Sequence, residues 1–128
     1  MFNSIWYQSL TKPKFTPPDW LFSPIWIFLY ITIFLSFILY FLKPYKNKKS
    51  GYVYFAIEMI LNLLWSPIFF GMQNILSAFI VIVLMDIFAV LLIKKFYSVS
   101  KISGIILIPY LLWILFATYL NYAYLILN

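Results

Sequence analysis

Residues 21–50 read LFSPIWIFLYITIFLSFILYFLKPYKNKKS. Twenty-two residues pass without a charge, and then Lys43, Lys46, Lys48 and Lys49 follow almost at once. An apolar run of about 20 residues is enough for a helix to cross the hydrocarbon core of a bilayer. Lysines placed just beyond such a run are topology signals and headgroup contacts. The whole chain repeats this pattern. Of its 128 residues, 66% are hydrophobic and 9% are charged. A soluble domain of that size needs far more polar surface. Lipid is therefore the solvent this chain is built for.

Four runs are long enough to span, at about residues 21–42, 51–71, 74–96 and 102–126. Lipid offers no partner for unpaired backbone groups, so each must be a helix. They are too long and too continuously apolar for barrel strands. The connections 43–50 (KPYKNKKS), 71–74 (GMQN) and 97–101 (YSVSK) are short. Short loops make consecutive helices antiparallel neighbours. The fold class is all-α, a polytopic membrane bundle with four transmembrane helices. No cleavable signal peptide is expected, because the first apolar run follows a proline-rich segment without a small-residue cleavage site.

The net charge of +6 does not point to nucleic acid. Seven of the nine lysines, Lys43, Lys46, Lys48, Lys49, Lys94, Lys95 and Lys101, flank the first and third connections. The positive-inside rule places 43–50 and 94–101 in the cytoplasm. The N-terminus, the 71–74 turn and the C-terminus then lie on the opposite side. The chain has no cysteine and no histidine. Disulfides, the usual zinc sites, Ser–His and Cys–His nucleophiles and the commonest haem ligand are excluded. No metal site and no general acid–base pair is expected.

Residues 6–26, WYQSLTKPKFTPPDWLFSPIW, are dense in proline and tryptophan. Ser23–Pro24 is a candidate helix start, with Asp19 a competing cap one turn earlier. Pro67 and Pro109 fall inside spans and should loosen the backbone ladder there. Within the spans, Glu58, Asn62 and Ser66 recur every four residues and share one helix face. Trp113, Ala117 and Asn121 make a second stripe, and Trp26 and Tyr30 are one turn apart. Small and polar residues often serve only as helix–helix glue in membranes. Three helices that each offer tryptophan with Asn or Ser nearby also suit a flat, apolar ligand. Glu58 is expected to be partly solvated, and Asp86 to hold an internal hydrogen bond.

Three segments, WYQSLTKPKFTPPDWLFSPIW (6–26), LNLLWSPIFFG (61–71) and PYLLWILFATYLNY (109–122), together resemble the TspO/MBR family of translocator and tryptophan-rich sensory proteins. The resemblance implies a five-helix membrane bundle, often dimeric. Its pocket takes protoporphyrin IX or a haem-like tetrapyrrole. Trp6, Tyr7 and Pro17 would come from a lid over residues 6–20. Trp26 and Tyr30 would line the site from the first span, and Asn62, Ser66 and Phe69 from the second. Trp113, Ala117 and Leu120 would line it from the fourth. Trp26 and Trp113 match the tryptophans linked to light-dependent porphyrin breakdown, the one enzymatic alternative to binding. A homodimer in a bacterial cell membrane is the implied setting. Family members carry a helix before the WY motif, whereas five residues precede Trp6 here, so either the true start lies upstream or this is a shortened, four-span member lacking that helix. Cholesterol is not expected, because no basic residue follows the tyrosines of ATYLNYAYLILN.

Overall fold

The computed structural model describes residues 5–12, 16 and 18–128. A short helix α1 (Ile5–Ser9) leads to α2 (Asp19–Leu42). Then follow α3 (Lys49–Ser66), a π-helical turn (Pro67–Gly71), α4 (Ile75–Val99), α5 (Lys101–Ile106) and α6 (Ile108–Leu127). Among the described residues there is no strand. Four stretches are long and apolar enough to cross a membrane: Trp20–Leu42, Lys49–Gly71, Ile75–Val99 and Lys101–Leu127. The all-α, four-span bundle expected from the sequence is the fold observed.

Several boundaries differ from those expected. The first span begins at Asp19, with Pro18 as its extended N-cap, so Ser23–Pro24 is not the start. Pro24 lies in the second turn, where its missing N–H removes a single bond from the ladder. The segment 94–101 is not a loop. α4 runs to Val99 and only Ser100 precedes α5. Phe96 and Val99 stay buried on the helix face. Lys94 and Lys95 belong to the same last turns, where long stems let ammonium groups reach past apolar neighbours. The segment 6–20 is not all loop, since α1 opens it.

Pro67 disturbs the helix ladder as the sequence suggests, whereas Pro109 stands at a helix start. Pro67 opens the π-helical turn, closed by Met72 N–H donating to the Pro67 carbonyl at 2.9 Å. Pro109 lies in the first turn of α6, so the fourth span is two helices joined at Leu107 rather than one loosened helix. The left-handed residue of the 71–74 turn is Gln73, at φ 54°, not Gly71. Asn74 then caps α4 by accepting from Ser77 N–H at 3.0 Å.

α4 is the centre of the bundle and packs against α2, α3, α5 and α6. The end that carries Lys43–Lys49 is closed by small groups and rings. Ser36 Oγ donates to the Ser103 carbonyl and Ser103 Oγ to the Ser36 carbonyl, both at 2.7 Å. Gly104 lets α5 approach so closely that an added Cβ would sit 2.8 Å from the Tyr97 backbone. Tyr40 stacks on Phe96 at 4.1 Å, and its ring fills the space a Cβ at Gly51 would need. Lys48 Nζ donates to the carbonyls of Tyr40, Phe41 and Lys43 at 3.0, 2.8 and 2.6 Å. It thus caps the C-terminus of α2 with charge and hydrogen bonds together.

Candidate functional site

At the other end α2 and α3 stand apart, and aromatic side chains border the space between them. The larger cavity has a volume of about 320 Å³. It is lined by Ser23, Trp26, Ile27 and Tyr30 of α2, by Asn62, Trp65 and Ser66 of α3, by Ile82 and Met85 of α4, and by Ala117 of α6. Ile27 is 63% exposed, so the cavity opens sideways between the helices. A smaller void of about 30 Å³ lies beneath α1. Its walls include Tyr7, Phe22, Phe69, Trp113, Leu120 and Tyr124, and it shares Trp26, Trp65 and Ala117 with the larger cavity.

The structure brings most of the expected residues together. Trp26, Tyr30, Asn62, Ser66 and Ala117 border the larger cavity. Tyr7, Phe69, Trp113 and Leu120 border the smaller one. Trp6 borders neither, and instead turns its ring edge-on to Phe69 at 5.4 Å. Pro17 lies outside the described residues. Trp65, not among the expected site residues, lines both cavities and stacks on Phe69 at 5.1 Å. Ile82 and Met85 carried no signal, because an apolar residue in an apolar helix has no contrast with its neighbours.

Polar groups at the site fall into two kinds. Some are satisfied within the bundle. Asn121, the end of the second stripe, accepts from Trp65 Nε1 at 2.9 Å and donates to the Ile75 carbonyl at 3.1 Å. Thr118 donates to Asp86 Oδ2 at 2.6 Å, the internal bond expected for that aspartate. By contrast, Trp113 Nε1 is buried and has no hydrogen-bond partner among the described residues. A buried donor left unmade costs about 1–3 kcal/mol.

Glu58 is not partly solvated. It is fully buried, and Tyr110, 52 residues away on α6, donates to its Oε1 at 2.5 Å. Tyr110 accepts in turn from Asn62 Nδ2 at 3.1 Å, and Asn62 Oδ1 accepts from Tyr30 at 2.5 Å. A row of four side chains therefore links the cavity wall to a carboxyl inside the bundle. The row runs from Tyr30, which is exposed at the cavity, to Glu58, which is fully buried.

A strap formed by α1 and residues 10–12 lies at the smaller void, which Tyr7 lines. Tyr7 packs its ring on Phe70 and Tyr124, both at 5.5 Å, and accepts from the Tyr124 hydroxyl at 2.9 Å. Lys12 Nζ lies 4.6 Å from the centre of the Tyr7 ring, within cation–π range. The Asn128 side chain grips the strap from the C-terminal end. Its Oδ1 accepts from Thr11 N–H at 2.9 Å, and its Nδ2 donates to the Thr11 carbonyl at 3.1 Å.

Four membrane helices that enclose an aromatic cavity beneath a short N-terminal strap define a class of small polytopic membrane proteins. The sequence model of the TspO/MBR family matches residues 1–127, and the chain belongs to that family. It is 44% identical over 127 residues to the tryptophan-rich protein TspO of Chlorobaculum tepidum, covering 98% of this chain and 80% of that protein. It is 42% identical over 123 residues to the protein of the same name in Archaeoglobus fulgidus, covering 96% and 80%. With the human translocator protein it shares 32% identity over 120 residues, covering 91% and 71%.

Proposed function

We propose that the protein binds flat, apolar, porphyrin-type ligands such as protoporphyrin IX between α2, α3 and α6, in a role of transport, sensing or regulation. The observation that carries this reading is the paired cavity itself. Its walls are mostly aromatic and aliphatic, and few polar groups converge on it, as in small-molecule sites generally. Trp113 Nε1 supplies an unused donor for a carboxylate or carbonyl on the ligand. A macrocycle larger than the enclosed 320 Å³ can project past Ile27 into the bilayer. The lysine end is placed in the cytoplasm by the positive-inside rule, which puts the strap on the far side. A homodimer in the cell membrane is the assembly that the family resemblance favours.

Titration of the purified protein with protoporphyrin IX is expected to quench its tryptophan fluorescence. Trp26→Phe and Trp113→Phe should each weaken binding several-fold, by about 1 kcal/mol or more where a ring contact and an N–H anchor are lost. Unchanged affinity in both variants would falsify the site. No quenching by the wild type would reduce the aromatic faces to packing. The alternative reading, light-dependent oxidation of the bound porphyrin, draws on the same two tryptophans. It fails if illumination of the complex bleaches the porphyrin band no faster than free porphyrin.

A further inference from the structure

The row Tyr30–Asn62–Tyr110–Glu58 has a direction. A phenol has one hydrogen, an amide side chain has a donor end and an acceptor end, and a carboxylate only accepts. Glu58 Oε1 takes the single hydrogen of Tyr110. The Tyr110 oxygen can then only accept from its other neighbour, and it does so from Asn62 Nδ2. That orients the amide, so Asn62 Oδ1 faces Tyr30 and takes the Tyr30 hydrogen. The order holds for the ionised carboxyl and for a proton on Oε2, which has no partner among the described residues; a proton on Oε1 would reverse it. What remains at the cavity wall is a Tyr30 oxygen whose hydrogen is committed inward. It can accept a hydrogen bond from a ligand, and it has none to give.

We propose that Glu58 is a positioning residue that sets the hydrogen-bond polarity of the larger cavity, so that Tyr30 selects flat apolar ligands bearing an N–H or O–H donor. This rests on the reading of the cavity as a ligand site and narrows its ligand class. The pyrrole N–H groups of an unmetallated tetrapyrrole belong to that class. Glu58 has the position and chemistry for the task. It is fully buried, so neither water nor lipid headgroups compete for its oxygens. It also terminates the row with an acceptor. Glutamine would end the row with an amide that can turn. With its nitrogen toward Tyr110, each bond reverses in sequence. Tyr110 would donate to Asn62, Asn62 would donate to Tyr30, and the Tyr30 hydrogen would be freed toward the cavity.

Carbazole and dibenzofuran test this. They share one flat tricyclic shape and differ in presenting an N–H donor or an ether oxygen. Calorimetric titration of the full chain in detergent micelles should show carbazole binding about threefold to tenfold more tightly, the worth of one neutral hydrogen bond. Tyr30→Phe should bring the two affinities together. Glu58→Gln should bring them together or invert their order, while both compounds still bind. Equal affinities in the wild type overturn the proposal but leave the cavity a ligand site. A preference retained in Tyr30→Phe overturns it as well. A preference lost in Tyr30→Phe but intact in Glu58→Gln removes Glu58 from the account. If neither compound binds the wild type, the ligand-site reading falls and takes this one with it.

Discussion

The two ends of the bundle solve opposite problems with similar materials. At the lysine end the helices touch, through Gly104 against Tyr97, the crossed Ser36–Ser103 pair, and Tyr40 stacked between Phe96 and the space above Gly51. At the strap end, about 320 Å³ between α2 and α3 is left unfilled. Aromatic residues are abundant at both. Small partners let a ring pack flat and close the interface. At the strap end Phe70 meets both Trp65 and Tyr7 edge-on, and a void remains beneath α1. Tight packing concentrates stability at one end and leaves the other free to admit a guest.

That contrast can be broken most directly at the glycines. Gly104→Ala should lower stability by about 1–3 kcal/mol, read as a fall in the thermal midpoint in detergent, because the added methyl meets backbone that cannot yield. Gly71→Ala, at the strap end, has nothing within 4 Å of the new Cβ and should leave the midpoint unchanged. Equal effects would erase the distinction between the ends. A smaller loss, about 0.3–1 kcal/mol, is expected for Lys48→Ala, which uncovers three carbonyls at the end of α2. Lys46→Ala is the control, since it tests loss of charge from the same connection. The smallest global effect should come from Asn128→Ala. The thermal midpoint should hold, while amide exchange at Thr11 speeds up several-fold as its N–H loses its acceptor. A global loss there would mean that the strap end also carries the stability of the bundle.

Much of the lysine end could be read in the sequence only as charge. Lys48 looks like any other topology signal, because a lysine after an apolar run satisfies the positive-inside rule whether or not it folds back on the helix. The spans themselves were legible, since apolar length is a direct requirement of the bilayer. The α3 stripe was legible too, because Glu58, Asn62 and Ser66 contrast sharply with their neighbours. The meaning of that stripe was not. Glu58 reads as a candidate for solvation until Tyr110 is placed beside it, and no local pattern announces a partner 52 residues away. Trp113 and Ala117 could be assigned to a shared face, but spacing does not show that Trp113 borders the smaller cavity alone while Ala117 borders both. That division depends on how α2 and α3 are placed about α6, which spacing along any one helix does not contain.

The strap also bears on the order of events as the protein forms. Its two anchors, Tyr7 with Tyr124 and Thr11 with Asn128, each join residues 117 apart in sequence. Such pairs close nearly the whole chain into a ring, the costliest kind of contact to form early. The strap cannot find its seat until the last turns of α6 are in place. The aromatic chamber is therefore roofed last, and while the fourth span is still being inserted it stands open to whatever the membrane contains.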